Sequence, residues 1–182
     1  GTMGQGDWYI SPVTISFEHG NGSWVQCFVK IDDAEWFEYT TPIVVETEGL
    51  HQVWWYYIDQ WGNQSSMLTT TFKIDLAPPI LRITQPEQGF LYVNILKNTI
   101  RYKIPIFFAT IVIGPINVTV NASNTISGVN RVEFYVDNIL QWNATKVPYY
   151  WFWGGRWFLF PYTLKVIVYD NAGHQTSVQM RV

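Results

Sequence analysis

The fold is decided near the end of the chain, where residues 162–182 read YTLKVIVYDNAGHQTSVQMRV. Aliphatic residues alternate with other residues before the turn Asp170–Gly173, and the alternation resumes after it through Val178, Met180 and Val182. A period of two is typical of a strand with one buried face, and Asp-Asn-Ala-Gly is typical of a turn. The stretch therefore predicts a β-hairpin.

The same pattern occurs earlier in the chain. Residues 51–64 read HQVWWYYIDQWGNQ, in which Asp59 and Gly62 correspond to Asp170 and Gly173. In an Asp-x-x-Gly turn the carboxylate accepts backbone amides and the glycine supplies a positive φ. The repeated turn predicts that the chain is made of two related modules.

Short alternating segments separated by turns predict an all-β fold of two tandem β-sandwiches, since no helical period is sustained. We expect a cloning remnant at residues 1–6, a first sandwich over 7–76, a Pro-rich linker at 77–79 and a second sandwich over 80–182. Tandem prolines have no amide hydrogens with which to extend a sheet, which places the linker. Residues 90–113 lack a clean period, and we expect one or two strands with irregular chain there.

Composition limits the classes of function. The chain is 48% hydrophobic, 18% aromatic and 14% charged, which excludes a disordered protein, and its ten tryptophans exceed what two small cores need. Residues 1–78 carry ten acids and two bases, a net −8, whereas residues 79–182 carry four acids and nine bases, a net +5. Opposite charges favour contacts with neighbouring domains. The sequence contains no Lys/Arg-rich stripe, so a nucleic-acid partner is not expected. The most apolar run, residues 104–113, is too short for membrane insertion.

Three observations speak against a cofactor, a metal or an enzyme. Cys27 is the only cysteine and lies on an alternating apolar face, so it is expected in the core. The histidines are far apart in sequence and lack partners at metal-binding spacing. The acidic cluster favours turn formation over calcium binding or glycosidase chemistry; its members are Asp32, Asp33, Glu35 and Glu38.

Two groups of residues are candidates for contacts outside the cell. Five Asn-x-Ser/Thr sequons are candidate glycosylation sites, at Asn21, Asn63, Asn117, Asn121 and Asn143. Clustered aromatic residues could stack on sugar rings, anchor a protein neighbour, or pack into the core or between domains. The candidates are Trp151, Trp153 and Trp157 in one loop, and Trp54, Tyr56 and Trp61 in the first hairpin.

Several motifs resemble a known family. The first module, with VKIDDAEW at residues 29–36 and EGLHQV at 48–53, resembles the Ig-like repeats of bacterial and archaeal surface proteins. The second, with VEFYVD at 132–137 and YDNAG at 169–173, is similar to a sister type. The resemblance implies two Ig-like or fibronectin III-like sandwiches. It also implies a cell-surface or secreted protein, in which such repeats serve as stalks, spacers, adhesive modules or appendages of enzymes.

We therefore expect a non-catalytic structural or interaction module at the surface of a prokaryote. Sequons without a disulfide would suit an archaeal envelope protein. The first hypothesis is a spacer or assembly domain whose partners are the neighbouring domains of a longer protein. The alternative is a carbohydrate-binding or adhesive module that contacts surface polysaccharide or other envelope proteins through its aromatic residues.

Overall fold

A computed structural model describes residues 1–18, 24–95, 98–104, 110–154 and 161–182. Within these ranges every regular element is a β-strand, which confirms the all-β prediction. The chain divides into two compact units, Gly1–Leu76 and Ala77–Val182. The described ranges contain no helix long and apolar enough to cross a membrane.

Seven strands of the first unit are described. They are β1 Trp8–Tyr9, β2 Val13–Ile15, β3 Trp24–Ile31, β4 Phe37–Glu38, β5 Ile43–Val45, β6 Gly49–Asp59 and β7 Leu68–Ile74. One sheet has the strand order β1-β7-β6-β3-β4, and β2 pairs with β5 in a second sheet. The two sheets enclose the core of this unit.

Strand alternation builds that core. Cys27, Val29 and Val53 are fully buried on the inner faces of β3 and β6. A second cluster joins Val13 of β2 to Ile74 of β7. The prediction that the cysteine is a core residue is confirmed, and its burial raises the pKa of the thiol.

Ten strands of the second unit are described. They are β8 Ile80–Gln85, β9 Phe90–Ile95, β10 Asn98–Lys103, β11 Ile111–Ile113, β12 Ile116–Ser123, β13 Val129–Val136, β14 Ile139–Ala144, β15 Tyr150–Trp153, β16 Thr163–Asp170 and β17 Gln175–Arg181. The sheets β14-β13-β16-β17 and β15-β12-β8 enclose a core that includes Phe134, Val166 and Val118. The third sheet has the order β10-β9-β11.

The two units repeat one arrangement, because the order β7-β6-β3-β4 in the first matches β17-β16-β13-β14 in the second. A turn aspartate holds the same place in each. Asp32 N donates to Gln52 O at 2.9 Å, and Gln52 N donates to Asp32 Oδ1 at 2.8 Å. Asp137 and Thr163 form the same pair of bonds at 2.9 and 2.8 Å. Both aspartates have a positive φ, 50° and 48°, and each ties the end of one strand to its neighbour.

The repeated hairpin turns have the predicted geometry. Asp59 Oδ1 accepts the amides of Trp61 and Asn63 at 2.9 and 2.8 Å. Asp170 Oδ1 accepts the amides of Gly173 and the next residue, both at 2.8 Å. The hydrogen bond from the Asn63 side chain and those from the turn amides hold the pKa of Asp59 below its ordinary value. The interpretation of Asp-x-x-Gly as a turn is confirmed.

The described residues between 90 and 113 contain three strands, more than the one or two expected. β9 pairs antiparallel with β10 and parallel with β11. Tyr92 is buried, and its hydroxyl accepts the Glu87 amide at 2.9 Å. Arg101 stacks 3.8 Å above the Phe90 ring and bonds Glu87 at 2.7 Å. Strand β10 is exposed on both faces wherever its side chains are described, so no two-residue period marks it in the sequence.

Residues 1–6, expected to be a cloning remnant, pair with the chain that follows them. Gly4 N donates to Trp8 O at 2.7 Å, Ile10 N donates to Thr2 O at 2.9 Å, and Met3 bridges Tyr9. The assignment of their origin stays a prediction.

We expect Phe134→Ala to lower the free energy of unfolding by about 3–5 kcal/mol, because this fully buried ring fills the middle of the second core. Urea denaturation followed by circular dichroism measures the change. Phe152→Ala is the matched control, since the Phe152 side chain is 61% exposed, and it should cost only about 0.5 kcal/mol. Equal losses in the two variants would contradict the assigned core.

Candidate functional site

An open groove runs along one edge of the second unit, between β14 and β15. Each is the edge strand of its sheet, β14 beside β13 and β15 beside β12. The connection between β14 and β15 completes the groove, whose volume is about 550 Å³. Clefts of about 300–1,000 Å³ are typical of small-molecule sites.

Large aromatic side chains line this groove and remain open to solvent. The exposed fractions are 52% for Trp142, 50% for Tyr150 and 61% for Phe152. Tyr150 and Phe152 lie opposite polar residues of β12, Thr119 and Asn117, on the outer face of the sheet. Clusters of exposed aromatic side chains are common at contact surfaces, so this edge is a candidate site.

The polar side chains of the groove have no described hydrogen-bond or ion-pair partners. Asn143, Thr145 and Lys146 line it, and in the part of the chain that the structure describes no hydrogen bond or ion pair engages their side chains. The described residues that line the groove include no carboxylate. The hydrogen-bond donors of Asn143 and Thr145 and the charge of Lys146 are therefore available to a ligand.

Trp151 and Trp153, predicted as ligand-binding residues, are partly buried against the core of the second unit. Their rings stack with centroids 5.7 Å apart and planes inclined by 19°. Trp151 also lies 6.3 Å from the Phe134 ring, and Trp153 meets Tyr162 edge-on at 6.0 Å. Both side chains have packing roles, and Trp151 also reaches the wall of the groove.

The aromatic candidates of the first unit lie on two surfaces. Trp54 lies under the Lys30 ammonium, 5.7 Å from the ring centroid, and Tyr56 stacks on Phe28 at 5.3 Å. Trp61 is 71% exposed at the hairpin turn. Among the described residues, no ring contact joins Trp54 to Trp61, so the two tryptophans do not form a shared stacking surface. Trp157 lies outside the described residues.

Four of the five sequons are described, and all four asparagines are exposed. Asn117 and Asn121 lie on the outer face of β12, and Asn143 lies on β14. Asn63 lies in the first hairpin turn, where its side chain donates to Asp59 at 2.9 Å. Asn21 lies outside the described residues.

The acidic cluster is tied into the first unit by hydrogen bonds. Glu38 Oε1 accepts from Gln26 at 3.1 Å across β3 and β4. Asp32 Oδ2 accepts from His51 Nδ1 at 2.7 Å. Partial burial raises the pKa of Asp32, but bonds from the Gln52 amide and His51 outweigh it, so the pKa lies below its ordinary value.

His51 is a structural residue that the sequence did not identify. The side chain is buried, and its Nε2 lies 2.8 Å from the Thr47 carbonyl while Nδ1 meets Asp32. A carbonyl and a carboxylate are both acceptors, so the ring donates to both only when both nitrogens carry hydrogen. The ring thereby ties residue 47 to the turn after β3.

Trp142 and Lys146 were also missed. The run Ile-Leu-Gln-Trp-Asn at residues 139–143 shows no two-residue alternation, which is expected of an edge strand exposed on both faces. That missing alternation, beside an aromatic residue, is the signal that could have indicated the groove.

Residues 109–178 match a family model described as Bacterial Ig domain, which confirms the predicted Ig-like repeat. No curated protein matches the chain. A solved structure of the fibronectin(III)-like modules of Clostridium thermocellum CbhA is similar at 16% identity, with a TM-score of 0.44. The match covers 98% of this chain and 88% of that one.

We expect the Asp32 carboxylate to stabilise the first unit above about pH 4 and to stop doing so in acid. Its folded-state pKa lies below the ordinary value of 3.8, so its contribution is lost as the pH falls through the folded-state pKa. In urea titrations at pH 6, Asp32→Asn should unfold about 1 kcal/mol more easily than the unmodified chain, a value reduced for partial exposure. The difference should shrink toward pH 2.

Asp33→Asn is the control for that experiment, because Asp33 is an exposed neighbour in the same turn. Its difference from the unmodified chain should be small and vary less with pH. Parallel pH profiles for Asp32→Asn and the unmodified chain would show that the Asp32 bonds contribute nothing to folding.

Proposed function

We propose that this Ig-like chain is a non-catalytic structural and interaction module of a prokaryotic cell-surface or secreted protein, of archaeal origin, that acts as a spacer or assembly domain. The observation that carries the proposal is the repetition of one four-strand arrangement, with the same aspartate bonds, in both units. Each unit also encloses clusters of buried residues of its own. Repeated autonomous units suit a protein part that keeps neighbouring domains in series.

An extracellular setting is supported by two further observations. Bacterial Ig domains, which residues 109–178 match, commonly occur in surface or extracellular proteins. The four described sequon asparagines are all exposed, and the three that do not line the groove, Asn63, Asn117 and Asn121, are accessible for attachment of a glycan.

The packing of Trp151 and Trp153 also supports a structural role. Both rings stack within the second unit, so folding explains part of the high tryptophan content of the chain. Carbohydrate binding is the second candidate function. It is favoured by the exposed Trp142, Tyr150 and Phe152 in the groove between β14 and β15.

If the two units are autonomous, each should fold when it is expressed separately. We expect fragments 1–76 and 77–182, expressed separately, to fold and to unfold cooperatively on heating, with midpoints close to transitions of the intact chain. Differential scanning calorimetry and circular dichroism measure these midpoints. The control is a cut inside the second unit, into 77–138 and 139–182, which separates β13 from β16 and should abolish folding. Two unfolded fragments from the first division would contradict the proposal.

A further inference from the structure

The groove between β14 and β15 combines two chemical features that fit one class of ligand. Trp142, Tyr150 and Phe152 offer large, partly exposed rings. Asn143, Thr145 and Lys146 offer an amide, a hydroxyl and an ammonium group at the same groove. A pyranose ring has an apolar face of C–H groups that packs on an aromatic ring, and a rim of hydroxyls that needs hydrogen-bond partners.

The charge of the groove restricts the class of ligand further. Among the described residues that line the groove, only Lys146 is charged, and no described ion pair or hydrogen bond engages its ammonium group. The nearest acid by strand register is Glu133, opposite Asn143. Its carboxylate is already taken, at 2.7 Å by Arg131 and at 2.6 Å by the Tyr135 hydroxyl. The groove therefore presents an uncompensated positive charge.

We propose, on the basis of the second candidate function, that this groove binds an acidic saccharide chain. The ring of Trp142, with Tyr150 or Phe152, contacts the apolar face of a sugar unit. The Lys146 ammonium pairs with the carboxylate of a uronic acid unit. The net +5 of residues 79–182 draws such a polyanion toward the second unit.

Other ligands fit these features less well. Nucleic acids are bound by several cations along the backbone path, whereas the described lining of this groove includes one cation, Lys146. An extended peptide that added a strand to β14 would meet an irregular edge, because the pairing of β13 with β14 shifts register between Phe134 and Tyr135. The open shape and mixed lining favour a linear saccharide.

Isothermal titration of the intact chain tests the proposal with two probes, a hexamer of galacturonic acid and the neutral cellohexaose. We expect the acidic hexamer to bind more tightly, and its affinity to fall when salt is raised from about 0.05 to 0.5 M. Trp142→Ala should weaken binding of the acidic hexamer about tenfold. Lys146→Gln should weaken it about fivefold and leave any binding of cellohexaose unchanged.

Two variants serve as matched controls. Trp36→Ala removes an exposed tryptophan of the first unit, and Lys103→Gln removes an exposed lysine elsewhere in the second. Neither should change the affinity for the hexamer. Lys146 is exposed on a connection between strands, so its variant tests the site even if Trp142→Ala disturbs folding, which circular dichroism detects.

The outcomes separate the two levels of the proposal. Equal binding of both probes, or preference for cellohexaose, with no effect of Lys146→Gln, would overturn the acidic ligand and retain carbohydrate binding. Absence of binding by either probe to the folded chain would overturn both. Binding of the acidic hexamer that is unaffected by Trp142→Ala and Lys146→Gln would place the site elsewhere and overturn the groove assignment.

Discussion

Both units depend on hydrogen bonds that main-chain amides donate to the side chains of turn aspartates. In a sheet with one buried face, a slip of one residue would turn every core side chain toward solvent. Asp32 and Asp137 prevent such a slip, because each holds the backbone of the neighbouring long strand by a reciprocal pair of bonds. Asp59 and Asp170 close the following hairpins in the same way. The bonds therefore fix which residues face the core, and by alternation which face solvent.

This constraint explains how much of the fold the sequence could predict. The turn aspartates and the alternation of Leu164, Val166 and Val168 are local signals, so the hairpin and its repeat could be identified from residues close in sequence. The sheet of β9, β10 and β11 could not be counted, because β11 joins β9 across distant residues and β10 has no buried face among its described side chains. The groove was missed for a related reason. It forms only where two edge strands from different sheets lie side by side, and a single strand's pattern cannot show its neighbour.

The positive charge of the second unit is distributed unevenly between structural and free groups. Arg131 stacks 3.7 Å from the Tyr169 ring while it bonds Glu133. Burial raises the pKa of Glu133, but bonds from Tyr135 and Arg131 outweigh it and hold the pKa below its ordinary value. The hydrogen bond that the Tyr135 hydroxyl donates to Glu133 raises the pKa of Tyr135 to about 12. Arg101 is likewise held by Glu87 and the Phe90 ring. These cations stabilise sheet faces, whereas Lys146 has no such partner among the described residues, and its charge is directed to solvent at the groove.

Strand β15 shows how one segment can serve both the core and a surface. Because its side chains alternate, Trp151 and Trp153 pack inward while Tyr150 and Phe152 stay outside. The inner pair contributes to the core, whereas the outer positions of a strand can hold polar residues, as on β12, where Thr119 lies opposite Tyr150. Aromatic rings on the outer face leave apolar surface exposed and contribute little to stability, as the small loss expected for Phe152→Ala reflects. The outer rings of β15 and the neighbouring Trp142 therefore support the proposal that a ligand covers this edge of the second unit.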